Sequence, residues 1–147
     1  MTEEAAEILL IEDSPDDAAI FSHALEKGRL DARLCVIPDG AAALEFVFCT
    51  GQYARRNPSN RPKVIILDLK LPKVGGLEVL RRLKGDPGTR TIPVVVLSSS
   101  QEESDLTESY GIGVNSYIVK QMDFDAFGQS VRMLGEYWLK FNQTPKP

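Results

Sequence analysis

At 147 residues, with 43% apolar and 26% charged side chains, the chain is long enough for one domain with a real core. Its net charge of −4 argues against general nucleic-acid or anionic-membrane binding, and no stretch approaches the ~20 apolar residues that span a bilayer. The acidic start, Met1-Thr2-Glu3-Glu4, has no positive region ahead of an apolar one, which argues against a signal peptide and for a cytoplasmic protein.

In chain order, a first strand is predicted at about 7–11 on the run Ile8-Leu9-Leu10-Ile11. A helix follows, with Ser14 as N-cap, Pro15 at its first position and Asp16-Asp17 in the first turn, where the macrodipole favours acid. Ala18, Phe21 and Leu25 form its inner stripe, and Gly28 stops it. The second strand is about 32–37 and the second helix about 39–49, through Ala43, Leu44 and Val47. Residues 50–62 are polar with Gly51, Pro58 and Pro62, and read as a solvated surface loop carrying Arg55, Arg56 and Arg61. Strand three is 63–68, and helix three starts near Gly76 with Leu77, Leu80 and Leu83 inward. Strand four is 93–97, helix four about 102–110, strand five 115–119 and helix five about 124–141. Strict alternation of strand and helix predicts an α/β fold with a parallel sheet and helices on both faces, in one domain spanning 1–147 with its core at about 7–141. Cys35 and Cys49 make no metal or redox motif and are read as reduced, buried thiols.

Four apolar runs end on polar residues: Glu12-Asp13, Asp68, Ser98 and Lys120. Unbroken β-branched runs suit strands buried on both faces, and ligands in such sheets bind beyond the carboxyl ends of the strands. With strand order 2-1-3-4-5, Glu12, Asp13 and Asp68 lie on adjacent strands. Two unit charges ~4 Å apart cost about 4 kcal/mol at an effective dielectric near 20, so such a trio calls for a cation. Oxygen donors without His or Cys select a hard ion, and Mg²⁺ suits because it keeps waters and accepts phosphate oxygens. His23, the only histidine, falls inside helix one and is read as a surface residue. Asp68 can act as a nucleophile toward phosphorus, with Lys120 neutralising one side of the transferred group and the Ser98 hydroxyl donating to it.

Glu12-Asp13, Asp68, Leu71-Pro72, Gly76, Ser98, Tyr117 and Lys120 together resemble the receiver domain of two-component response regulators, in order and at family spacing. The resemblance implies a flavodoxin-like five-stranded sheet and phosphorylation of an aspartate by a phosphohistidine of a sensor histidine kinase. It implies Glu12 and Asp13 as metal-binding acids, Asp68 as phosphoacceptor and the Lys70 carbonyl as a further metal ligand. Ser98 becomes the switch hydroxyl, Tyr117 the switch aromatic that rotates inward, and Lys120 the phosphate-binding lysine. The long loop after helix two and the ending Gly135-Glu136-Tyr137-Trp138-Leu139 are similar to stand-alone regulators of bacterial phytochromes. Gln121 stands where the family usually has proline, and Gly75-Gly76 replaces the common Asp-Gly.

Three rival readings are weaker. A phosphatase would carry an acid two residues after the nucleophile, where this chain has Lys70. A pseudo-receiver would lack an acid or the lysine, and a flavin carrier would have a Ser/Thr/Gly-rich loop after strand one. Nothing follows helix five but residues 142–147, so output is expected through protein contacts. A homodimer is expected on the helix 4, strand 5, helix 5 face, with Trp138 and Phe141 projecting past the sheet as interface aromatics.

Overall fold

Each apolar run folds as a short strand: β1 (Ile8–Ile11), β2 (Leu34–Ile37), β3 (Val64–Leu67), β4 (Val94–Ser98) and β5 (Ser116–Val119). All pair in parallel in the order β2-β1-β3-β4-β5, as the alternation and the resemblance imply. The structure is a computed structural model that describes residues 6–146; the acidic start used above to argue against a signal peptide lies outside the described residues.

Successive strand residues point to opposite faces, so each run feeds two cores. Leu9, Ile11, Ile65, Leu67, Val94 and Val96 face one side, against Phe46 of α2 (Gly40–Phe48) and Val79, Leu80 and Leu83 of α3 (Gly76–Gly85). Ile8, Leu10, Val64, Ile66, Val95 and Leu97 face the other, against Phe21 and Leu25 of α1 (Pro15–Lys27) and Phe127, Val131 and Leu134 of α5 (Phe124–Glu136). Between β4 and β5, α4 (Glu103–Ile112) buries only Ser109 and is tied to α3 by the Arg81–Glu108 ion pair. Among the described residues no helix is long and apolar enough to cross a membrane.

Several local expectations need correction. Val79, not Leu77, completes the buried face of α3 with Leu80 and Leu83. Gly28 caps α1 in ordinary right-handed geometry, and the left-handed residue is Arg29 at φ 56°. Neither cysteine forms a disulfide, but both are only half-buried: Cys35 lies on the edge strand β2 and Cys49 caps α2. The 50–62 segment is not simply solvated. It begins with a 3₁₀ turn at Gly51–Tyr53, and Arg56 is buried, its guanidinium 3.8 Å over the Phe46 ring. Arg56 donates to the Phe46 and Asn60 carbonyls, so this cation serves to close the loop over the end of α2.

The terminal helix also departs from a single α-helix. At Glu136 it passes into a π turn at Tyr137–Phe141, closed by Asn142 N–H to the Tyr137 carbonyl at 2.7 Å. A residue in such a turn advances less than the ~100° of an α-helix, so the inner stripe lags. Trp138 and Leu139 therefore pack on the α1/α5 core, while Phe141 is 66% exposed. Of the two aromatics expected to project, only Phe141 does so fully.

Candidate functional site

Register alone brings the strand ends level. Ile11 pairs with Leu67, Leu67 with Val96, and Ser98 with Val119. The residues that follow β1, β3 and β5 are thus Glu12, Asp68 and Lys120, with Ser98 at the end of the intervening β4. The Asp68 amide donates to the Ile11 carbonyl at 3.0 Å, and the Lys120 amide to the Ser98 carbonyl at 2.8 Å. These backbone bonds hold the ends together before any side-chain chemistry.

Carboxylate oxygens of Glu12, Asp13 and Asp68 lie within 4.8 Å of one another. Glu12 and Asp68 are buried, whereas Asp13 faces solvent. Lys120 Nζ reaches Glu12 Oε1 at 2.6 Å, Asp17 Oδ2 at 2.8 Å and Asp68 Oδ2 at 3.4 Å. Burial first, then the Asp68 charge, pushes the Glu12 carboxyl from its ordinary 4.5 up to about 7, even though Lys120 and the Ser14 amide favour its anion. For Lys120, burial alone would lower the ammonium, but bonds to Asp17 and Glu12 outweigh it and hold the proton more firmly than usual.

That raised carboxyl has a stability consequence. Folded protein holds a proton on Glu12 that the unfolded chain has already released between about pH 4.5 and 7. The contribution is full below the unfolded value and is lost as pH rises through 7. Urea unfolding of the metal-free protein should show about 2–3 kcal/mol less stability from this group at pH 8 than at pH 4.5. Glu12→Gln should flatten the slope over that window, and an unchanged slope would contradict the assignment.

The other residues singled out from sequence take these places. Ser98 is fully buried and its Oγ accepts from the Ser100 amide at 3.3 Å. Tyr117 packs on the α2/α3 core, with its hydroxyl donating to the Ser100 carbonyl at 3.0 Å. That bond ties the Tyr117 ring to the β4–α4 loop in the unmodified protein. Burial is the main cause of a raised Tyr117 phenol. Lys70 is exposed, with its backbone N–H 3.4 Å from Asp68 Oδ1. The Lys120–Gln121 peptide is trans. His23 is exposed on α1, outside the acidic trio. Trp138 and Phe141 lie apart from this cluster on the terminal turn.

Asp17 was missed as a member of the site. Its place in the first turn of α1 had read as a dipole-stabilising acid; the signal available was the Ser14-Pro15 cap, which fixes where that turn points. A groove of about 290 Å³ beside the acids is lined by Asp17, Ile20, Ser99, Lys120, Met122 and Phe124. The larger groove, about 820 Å³ between α2 and α3, shares no residue with the acids. Phosphoryl chemistry needs access to a strand edge rather than a deep pocket, so we attach the chemistry to the acidic cluster.

The response regulator receiver domain profile matches residues 8–132. The chain belongs to that family. This receiver is 38% identical over 138 residues to response regulator Rcp1 of Synechocystis sp., covering 94% of this chain and 92% of that protein. A crystal structure of Mn(2+)-bound Rcp1 matches with TM-score 0.88 at 36% identity, covering 95% and 99% of the two chains. The phosphorylated cyanobacterial phytochrome response regulator RcpA matches with TM-score 0.89 at 37% identity, covering 96% and 99%. The bacteriophytochrome response regulator AtBRR is 46% identical, with TM-score 0.73 and coverage of 94% and 98%. Receiver domains are signalling modules rather than enzymes of external substrates, and they bind a divalent metal at an acidic pocket. The all-oxygen trio fits such an ion: the cost visible at Glu12 is the cost a divalent cation would relieve.

Proposed function

We propose that this receiver is a cytoplasmic switch that accepts a phosphoryl group on Asp68 from a phosphohistidine of a partner sensor kinase of the phytochrome type. Asp68 carries the reading because it is buried among the strand-end acids yet reached by Lys120. As an Asp68 oxygen bonds to phosphorus, the phosphorus–nitrogen bond breaks and its electron pair returns to the donor imidazole. Water later attacks the acyl phosphate, releasing phosphate and regenerating the carboxylate. Asp13, Asp68 and the Lys70 carbonyl would hold Mg²⁺, with Glu12 acting through water. When bound, the ion neutralises the equatorial oxygens of the transferring group. Lys120 screens the other side, and Ser98 supplies a hydroxyl to the modified aspartate. Phosphorylation adds about −1.5 to −2 charges, which draws Lys120 and Ser98 inward and alters the α4–β5–α5 face. Ser100 joins that face to the site, since its hydroxyl donates to Asp105 at 2.5 Å while its carbonyl accepts from Tyr117.

Acetyl phosphate with Mg²⁺, followed by intact mass, tests the reading. A single phosphoryl mass gain that decays slowly is expected. Excess EDTA should reduce labelling to background, because the single Lys120 charge does not offset the repulsion between the acids and the incoming oxygens. Equal labelling with and without EDTA would refute the metal's part. Rapid release of phosphate over many cycles would instead favour a phosphatase, which the exposed cation at Lys70 disfavours.

The reading includes a homodimer through the α4–β5–α5 face. Tyr110, Phe124, Met133, Tyr137 and Phe141 are exposed large apolar side chains on α4, α5 and the terminal turn. Trp138 packs on its own core, so its truncation would confuse folding with assembly. Sedimentation at micromolar concentration should show a dimer for wild type and a monomer for Met133→Glu/Phe141→Glu. A monomeric wild type, with and without phosphodonor, would rule the dimer out.

A further inference from the structure

We infer that Asp17 is a positioning residue that competes with the phosphoryl group for Lys120. This rests on the reading that Lys120 binds a phosphoryl group on Asp68. In the unmodified site the ammonium lies nearer Glu12 (2.6 Å) and Asp17 (2.8 Å) than Asp68 (3.4 Å). The Lys120 side chain is nearly enclosed, so these carboxylates replace the water it has lost.

Asp17 differs from Glu12 in where it stands. A cation in the acidic trio would draw on Glu12 through water, whereas Asp17 is outside that trio. Its bond to Lys120 therefore survives metal loading and opposes transfer of the ammonium to the phosphoryl oxygens. Placement of Asp17 is fixed locally. Pro15 starts α1, and Ser14 Oγ accepts from the Asp17 amide at 3.2 Å. Lys120 is fixed in turn by its amide bond to the Ser98 carbonyl. The pair thus ties the first turn of α1 to the end of β5 in the unmodified state, and phosphorylation must release that tie.

Fluoroberyllate, a tetrahedral anion that adds to a carboxylate as a phosphoryl mimic, is the probe. Its affinity is measured with saturating Mg²⁺ for wild type, Asp17→Asn, Asp17→Glu, Asp16→Asn and Lys120→Ala, and for the Asp17→Asn/Lys120→Ala pair. Asp17→Asn should bind about five- to tenfold more tightly, with Mg²⁺ affinity changed less than twofold. Asp17→Glu keeps the acid and should stay within twofold of wild type. Asp16, exposed in the same turn, carries the same charge without the contact, so Asp16→Asn should also change less than twofold. In the Lys120→Ala background the effect of Asp17→Asn should vanish. Unchanged affinity in Asp17→Asn, or a gain that persists without Lys120, overturns the inference while leaving Asp68 as acceptor. A wild type that takes neither fluoroberyllate nor a phosphoryl group overturns both. Thermal melting of Asp17→Asn and Asp17→Glu verifies that each is folded when assayed.

Discussion

Asp68→Asn, treated with acetyl phosphate and Mg²⁺, should show no phosphoryl mass gain while melting within a few degrees of wild type. The amide matches the carboxylate in shape but lacks the charge and lone-pair reactivity that attack phosphorus, so labelling should fall on the order of a thousandfold or more. Folding should tolerate the change because two effects oppose. Lys120 loses its longest carboxylate contact, at 3.4 Å, and keeps Glu12 and Asp17. Meanwhile Glu12 loses a neighbouring charge that raises its pKa. A net change of about 1 kcal/mol shifts the melting point of a chain this size by about 2–4 °C. Labelling of the variant at the wild-type rate would show that another side chain accepts the group.

Gly76→Ala should be strongly destabilising although it removes no charged group. A Cβ at Gly76 would stand 2.4 Å from the Asp68 carbonyl oxygen and 2.5 Å from Leu69 Cα. Both obstacles are backbone, so relief requires moving the segment that carries Asp68 or the start of α3. That segment is also pinned by the Gly76 amide, which donates to the Leu69 carbonyl at 2.9 Å. Forced overpacking costs about 1–3 kcal/mol and sometimes more, and this site belongs at the upper end because no side chain can give way. Melting should fall by about 6–12 °C, with slower phosphorylation of the protein that remains folded. Gly75→Ala is the contrast: open space surrounds its Cβ, φ is −68°, and the change should stay within about 0.5 kcal/mol. Equal melting of the two variants would remove the steric account.

What the sequence made legible was mostly what short-range pattern controls. Unbroken runs such as Val64–Leu67 are satisfied between two helical layers, so strand type and burial follow directly there, whereas β5, the run before Lys120, is only half-buried at the sheet edge. The polar residues after those runs could then be placed on one edge by topology, which assembled Glu12, Asp13, Asp68, Ser98 and Lys120. Long-range choices were not visible. Whether Leu77 or Val79 faces inward depends on how α3 rotates against β3, and composition says nothing of that. Arg56 looked like loop charge because its partners, the Phe46 ring and two carbonyls, carry no sequence signature. Asp17 is hidden behind a sufficient local explanation, its place in the first helical turn; the Ser14-Pro15 cap indicates where that turn points but not the 2.8 Å bond to a lysine 103 residues away.

The π turn at Tyr137–Phe141 loosens the constraint on the residue that it turns outward. A π turn is equivalent to one extra residue accommodated within an α-helix. Deleting one residue from Tyr137–Phe141 would restore α-helical phase and swing the residues beyond it round toward the sheet. While the insertion stays, Phe141 is released from the packing that constrains Val131 and Leu134. Its side chain can therefore be exchanged at little cost to the hydrophobic interior.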